Sequence, residues 1–472
     1  MDRPNDAKTK TQRLSNILVD IASQFFLAVV VGLVMAVVAN SFVEGARWFL
    51  NLSRVDSFIS MQIGGANYTL DIFLTLAGAA VLILLVRRIL GITIWSGPAD
   101  SIYAVQQSRE PLDIRLGMGS TLAAFVAASG GGSVGQYGPL VHFGATMTEI
   151  LLKYIRIKID RRVFIACGVA GAISAGFNAP IAGVLFAHEA LLRRISVGAI
   201  APIAITSIVA YAANQAFFNI EPTFSVPDMP IELQPLIPFL IMTAFLSAAS
   251  AVAYMAAIRK GRELATRSQW SMPKLIFSCV LVVGCVGVVL PDITGLGLTQ
   301  VNQMIDAQFT LGMLVILLAA KIFVTAYCLN TGFFGGVFGP ALFVGAATGA
   351  IAAYLAVMMG LAPHLSYALP VAAIAAVGGA VIGAPLAVIM IVIELTGSYA
   401  YGLSAMLCVI LCSVLTLRLF GLSYFDRQLL DRGIDLRLGQ EHVELSLTPV
   451  REIQSGDFVR LSNDASVEQA RQ

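Results

Sequence analysis

Apolar residues run along this chain in blocks separated by short polar or glycine- and proline-rich breaks. Blocks 17–43 and 71–90 are long enough to cross a bilayer as helices, and the second ends in Arg87-Arg88. Further spans are predicted at 197–218, 235–257, 275–290, 311–329 and 403–420, with a polar segment over 259–271. Other blocks are short. The run 121–129 stops at Gly130-Gly131-Gly132, and a helix over 139–152 would reach only about 21 Å, less than a bilayer. Gly and Pro break the pattern at matching places in the two halves. That predicts an all-α membrane protein of inverted repeats, about 70–215 and 235–425, with tilted and broken half-spanning helices.

The duplication is visible in the residues. Gly-Gln-Tyr-Gly-Pro-Leu-Val-His-Phe-Gly-Ala at 135–145 is echoed by Gly-Val-Phe-Gly-Pro-Ala-Leu-Phe-Val-Gly-Ala at 336–346. Ala179-Pro180-Ile181-Ala182 with Glu189 is echoed by Ala384-Pro385-Leu386-Ala387 with Glu394 at nearly the same separation. Chance does not produce two echoes with one spacing. Proline suits the first turn of a helix, where its missing N–H is no loss, and glycine lets other atoms approach the backbone. Such a start carries unpaired amides and partial positive charge. Gly135, Gly138 and Pro139 in one half, with Gly336, Gly339 and Pro340 in the other, therefore predict two helix N-termini converging on one anion near the midplane.

Composition sharpens this picture. The 472 residues are 57% hydrophobic and only 12% charged, about half the usual charged share, which places the chain in the membrane. The net charge of +2 points to no class of partner, and no basic block suggests nucleic acid. All six cysteines lie in apolar segments without zinc spacing, so no metal or cofactor is expected. Gly130–Gly138 lacks the Gly-Lys-Ser/Thr of a phosphate loop, and His188-Glu189 lacks the second histidine of a zinc protease. An intramembrane hydrolase finds no supporting spacing, and no enzyme is predicted. Residues 441–472 turn soluble in composition, too short a piece to bury a core alone.

At this point the motifs match a known family. Trp95-Ser96-Gly97-Pro98-Ala99, Gly135-Gln136-Tyr137-Gly138-Pro139 and Gly336-Val337-Phe338-Gly339-Pro340 resemble the G-S-G-I-P, G-[RK]-E-G-P and G-x-F-x-P motifs of the CLC chloride channels and chloride/proton exchangers. The resemblance covers about 17–438 within a membrane domain of 1–440, and 441–472 resembles a linker and the truncated start of a cytosolic CBS-like domain. It implies chloride held by the Ser96 hydroxyl and the Val337 and Phe338 amides. A pore tyrosine of the family falls at Phe425, or at Tyr424 with one residue of slippage. It also implies a homodimer with one pore per subunit. The expected setting is a multi-pass bacterial inner membrane protein with cytoplasmic termini.

Departures from the family pattern bear on mechanism. The exchangers' gating glutamate is Tyr137 here, its basic neighbour is Gln136, and the inner proton glutamate falls at Ala190. A phenol with a reference pKa near 10 carries no charge at neutral pH. Passive chloride conduction is therefore predicted, with Tyr137 as a neutral plug between Gln136 and Gly138. The alternative is a chloride/proton antiporter using another proton route, for which Glu189 and His142 are the candidates. Glu189 and Glu394 also read as structural caps or interhelical partners. Lys321, in mid-span, is expected either to raise the local potential for anions or to form an interhelical salt bridge.

Overall fold

The computed structural model describes residues 4–55, 60–63, 66–107, 111–154, 160–218, 224, 226 and 231–438. The expected CBS-like start at 441–472 lies outside the described residues. Helix α1 (Pro4–Val55) leads into a hairpin of β1 (Ser60–Ile63) and β2 (Ala66–Thr69), paired antiparallel with Ser60 opposite Thr69. The hairpin is an addition to the predicted all-α plan. The rest of the first half is α2 (Asp71–Leu90), α3 (Pro98–Gln106), α4 (Ile114–Ser129), α5 (Tyr137–Tyr154), α6 (Arg161–Phe177), α7 (Pro180–Phe186) and α8 (Val197–Phe217). The second half runs through α9 (Leu233–Arg267), α10 (Met272–Val289), α11 (Leu298–Ile305), α12 (Leu311–Asn330) and α13 (Phe338–Met358). It ends with α14 (Ala368–Ile382), α15 (Pro385–Thr396), α16 (Tyr399–Leu419) and α17 (Tyr424–Leu430).

Among the described residues, nine helices are long and apolar enough to cross a membrane, and three shorter apolar ones are not. The short ones are α4, the stretch Pro180–Leu192 and α15, as the breaks in the hydrophobic pattern predict. Two boundaries differ from expectation. Helix α9 continues through the polar segment to Arg267, where Arg259 and Lys260 both meet Glu263 on the same helix, so the charges lie along a projecting end. The sequence is apolar without a polar break from 369 to 393, yet the chain there is cut into α14 and α15 because Gly383 adopts a left-handed φ of 73° and Pro385 restarts the helix.

Helices α5, α6, α13 and α14 are buried along nearly their whole length, whereas α2 and α10 keep large apolar side chains such as Leu82 and Leu281 on the outside. In a bilayer those outer residues face lipid. The centre is built from small residues that let backbones meet. Helices α5 and α6 approach so closely that a methyl group on Gly144 would meet the Gly168 carbonyl at 2.4 Å.

The two halves clasp each other through their echoed carboxylates. Glu189 accepts from the amides of Leu386 (3.0 Å) and Ala387 (2.8 Å), at the start of α15. Glu394 accepts from the amides of Ile181 (2.8 Å) and Ala182 (2.8 Å), at the start of α7. Each half therefore caps a broken helix of the other, with a negative group at the positive end of the dipole. Glu189 reaches across from a π-helical turn, Ala187–Leu192, that follows α7. Such turns are common where a helix must re-aim a side chain.

Replacing Glu394 by Gln removes the charge from this clasp while keeping its shape. Unfolding in detergent, followed by intrinsic fluorescence, is expected at lower temperature, with a loss of roughly 1–3 kcal/mol. Glu189→Gln should give a similar loss. An unchanged midpoint in both variants contradicts the capping role.

Candidate functional site

The repeat motifs meet back to back. Gly135 N–H donates to the Gly336 carbonyl and Gly336 N–H to the Gly135 carbonyl, both at 2.7 Å, forming an isolated antiparallel bridge. Glycine is required here by close approach. A Cβ on Gly135 would lie 2.8 Å from the Gly339 nitrogen, and one on Gly336 would lie 2.8 Å from the Gly138 nitrogen. The bridge starts α5 and α13 side by side. The amides of Gln136, Gly138, Val337, Phe338 and Gly339 make no hydrogen bond among the described residues.

Aromatic rings pack around these starts. Tyr137 stacks on Phe177 at 3.8 Å between centroids, and Phe338 stands edge-on to both, at 5.8 Å from Tyr137 and 5.5 Å from Phe177. Tyr137 and Phe338, one from each motif, thus come together as the sequence predicts. Beside them lies a cavity of about 20 Å³, room for a single water-sized particle. Pro98, Tyr137, Gly138, Phe186, Phe338 and Phe425 line it, with the aliphatic side chains of Val141, Ile173 and Ile382. Phe425, not Tyr424, faces this cavity, because α17 starts at Tyr424 and Ser423 caps it through the Asp426 amide. The Tyr424 hydroxyl instead accepts from Gln428 Nε2 at 3.0 Å.

Ser96 lies two residues ahead of the cavity-lining Pro98. Its backbone N–H donates to Ser120 Oγ at 2.9 Å. The turn is fixed by Gly97 N–H donating to the Asp100 carboxylate at 2.7 Å, and Asp100 also meets Arg432 at 2.6 Å. A second, wider cavity of about 420 Å³ is lined by Trp95, Phe334 and Tyr424. Arg87, Arg259, Arg262, Arg427 and Arg432 line it together with Asp431; Arg427 pairs with Asp431, Arg432 with Asp100 and Arg259 with Glu263, and the excess of cations in the lining makes it a basic vestibule.

Other singled-out residues find definite places. His142 is buried, its Nδ1 shares a hydrogen bond of 2.7 Å with Ser101 Oγ, and its Nε2 has no partner among the described residues. Gln136 is buried, and its Oε1 likewise lacks a partner there. Ala190 is buried in the π-helical turn. Lys321 forms no salt bridge among the described residues. Its ammonium donates to the Ile293 carbonyl at 3.0 Å and lies 4.8 Å from the centre of the Phe343 ring. The expected carboxylate partner is replaced by carbonyl dipoles and a ring face.

Two contributors escaped sequence reasoning. Tyr254, fully buried on α9, donates its hydroxyl to the Val337 carbonyl at 2.9 Å and so holds the residue just ahead of α13. Phe177 supplies the face on which Tyr137 stacks. A lone tyrosine inside the apolar stretch of α9 is the one signal that marked Tyr254.

Broken helices, bare amide ends and a basic vestibule define a repeat-built membrane protein that handles anions. The profile described as Voltage gated chloride channel matches residues 77–417, and the chain belongs to this family. Among its relatives, a putative chloride channel protein, ClcB-like, of Ralstonia nicotianae is 26% identical over 281 residues, 58% of this chain and 66% of that one. The H(+)/Cl(-) exchange transporter ClcA of Vibrio cholerae is 28% identical over 346 residues, 68% of this chain and 71% of that one. The crystal structure of a slow cyanobacterial Cl-/H+ antiporter shares the fold, with a TM-score of 0.76 at 19% identity, covering 87% of this chain and 97% of that one. The matched part spans about two thirds of the Ralstonia relative. This protein is a multi-span anion transporter of the CLC family.

The contrast between two glycines tests the bridge. Gly135→Ala forces backbone atoms apart and should abolish recovery of monodisperse protein. Gly176→Ala meets the Tyr137 ring at 3.4 Å and Leu140 at 3.9 Å, both ordinary contacts, and should fold normally. Equal yield and equal melting of the two variants on size-exclusion and thermal analysis contradict the close-approach argument.

Proposed function

We propose that the protein conducts chloride passively, with no proton exchanged and no cofactor or chemical step involved. Tyr137 carries this reading. It stands on the first turn of α5, stacked on Phe177 and beside the small cavity, where the resemblance puts the exchangers' carboxylate. A neutral phenol neither repels an incoming anion by charge nor gives up its proton easily at neutral pH. Ala190 offers no second carrier. The anion is held by the bare amides of the two helix starts, and the vestibule arginines concentrate it beforehand. Tyr137 acts as a neutral plug over the cavity. The resemblance further supports a homodimer with one pathway per subunit, set in a cell membrane with cytoplasmic termini.

A second reading is proton-coupled exchange, favoured by the name of the Vibrio relative and by the buried, half-partnered ring of His142. Glu189 fits that reading poorly, since both of its oxygens already cap α15. Reversal potential decides between the readings. With reconstituted protein in symmetrical chloride, a pH gradient alone should leave the reversal potential at zero for passive conduction. A shift with pH overturns that reading in favour of exchange.

Two further outcomes are expected. Tyr137→Ala should raise chloride efflux from liposomes several-fold by opening the cavity, and unchanged or lower efflux from a folded variant contradicts the plug. Arg262→Gln should slow chloride efflux at low ionic strength and much less at about 1 M salt, where the Debye length falls to about 3 Å. An equal loss at both salt levels contradicts electrostatic concentration.

A further inference from the structure

A halide asks little of a vestibule beyond a diffuse positive potential and room to pass. The arginine-lined cavity holds more than that. Its volume of about 420 Å³ falls in the range of pockets that take small organic molecules. Its charge is also specific. Three of the five lining arginines have carboxylate partners, which leaves two, Arg87 and Arg262, without one among the described residues. Arg87 is nonetheless held in place. It donates to the Thr93 carbonyl and lies 5.2 Å from the centre of the Trp95 ring. The neutral polar groups of the wall are engaged with the protein. Thr266 donates to the Arg262 carbonyl, Asn330 to the Ile258 carbonyl and Gln428 to the Tyr424 hydroxyl. A ligand therefore meets two guanidinium groups in excess, beside the rings of Trp95, Phe334 and Phe420.

One chloride balances half of that excess. A phosphomonoester at neutral pH carries a charge of about −1.5 to −2 and three strong acceptor oxygens. A guanidinium fork matches two such oxygens at once. We propose that the vestibule is a binding site for a phosphomonoester dianion, and that a bound ester obstructs the chloride route. Arg87 and Arg262 hold the phosphate, and the organic part lies against Trp95 and Phe334. Binding is independent of the conduction reading above, whereas obstruction rests on it. Tyr424 of the vestibule wall adjoins Phe425 of the small cavity, so an occupant of the first stands beside the second.

Calorimetric titration of the purified protein in neutral detergent with phenyl phosphate tests the site. Methyl phenyl phosphate, which has the same ring but a single charge, should bind at least tenfold more weakly. Arg87→Gln and Arg262→Gln should each weaken phenyl phosphate about tenfold, the size expected of a lost charge-assisted contact. Arg88→Gln removes the same charge from the same helix outside the lining, and should leave the affinity unchanged. In phosphatidylcholine vesicles, phenyl phosphate on both sides should slow chloride efflux over the concentrations at which it binds. Vesicles with phosphatidic acid, compared with phosphatidylglycerol at equal surface charge, identify the source of the ester. Slower efflux with phosphatidic acid assigns the site to a lipid headgroup, and equal efflux assigns it to a soluble ester. Absence of saturable binding, equal affinity for the two probes, or saturating phenyl phosphate that leaves efflux unchanged overturns the proposal. So does an equal loss in Arg88→Gln and Arg262→Gln. Should the variants fail to fold, the comparison of the two probes on native protein decides. Failure of passive conduction shows instead as a reversal potential that moves with pH, and it leaves the titration untouched.

Discussion

The structure depends on how it treats four broken helix ends. Backbone donors inside a membrane need partners, because hydrocarbon offers none. The duplication creates two related pairs of helix starts, α5 with α13 and α7 with α15. The second pair is closed: Glu394 and Glu189 take up the first-turn amides reciprocally across the repeat boundary. Among the described residues the backbones of the first pair are hydrogen-bonded to each other at Gly135 and Gly336, and the amides that follow make no hydrogen bond. A fixed carboxylate fills one kind of end, and under the proposed function a diffusible anion fills the other. The same electrostatics thus yields a structural clasp in one place and, in the proposed reading, a transport site in the other.

Around the open ends the protein supplies rigidity rather than formal charge. Tyr254 fixes the Val337 carbonyl, Phe177 backs Tyr137, and Pro98 and Phe425 close the sides of the cavity. Formal positive charge is kept at a distance, in the vestibule, while the buried Lys321 nitrogen is held by the Ile293 carbonyl and lies against the Phe343 ring. That separation suits transport. A guanidinium at the amide ends would hold an anion too tightly for it to leave, whereas one in the vestibule raises the local anion concentration without trapping it.

Much of this was legible in the chain. The Gly-x-aromatic-Gly-Pro echoes marked the two starts, because only glycine permits the bridge and proline favours a first turn. The paired Ala-Pro and Glu echoes marked the clasp, since a carboxylate and a helix start recurring together imply a partner. Their reciprocity was not legible, because hydropathy carries no information on which repeat faces which. Partners far apart in sequence were equally hidden: Tyr254 with Val337, and Lys321 with the turn at Ile293. The choice between Tyr424 and Phe425 turned on one residue of helix phase, set by the Ser423 cap. The extent of α9 beyond the apolar stretch was not legible, because hydropathy marks a membrane span and not the end of a helix.

The central claim is that one anion sits where the two open helix starts meet. Bromide, which scatters anomalously, locates it directly in crystals of the protein. The account predicts an anomalous peak within hydrogen-bonding distance of the Phe338 and Gly138 amides, beside the Phe425 ring. Bromide found only in the arginine-lined vestibule, with those amides pointing at protein atoms or empty space, would contradict it.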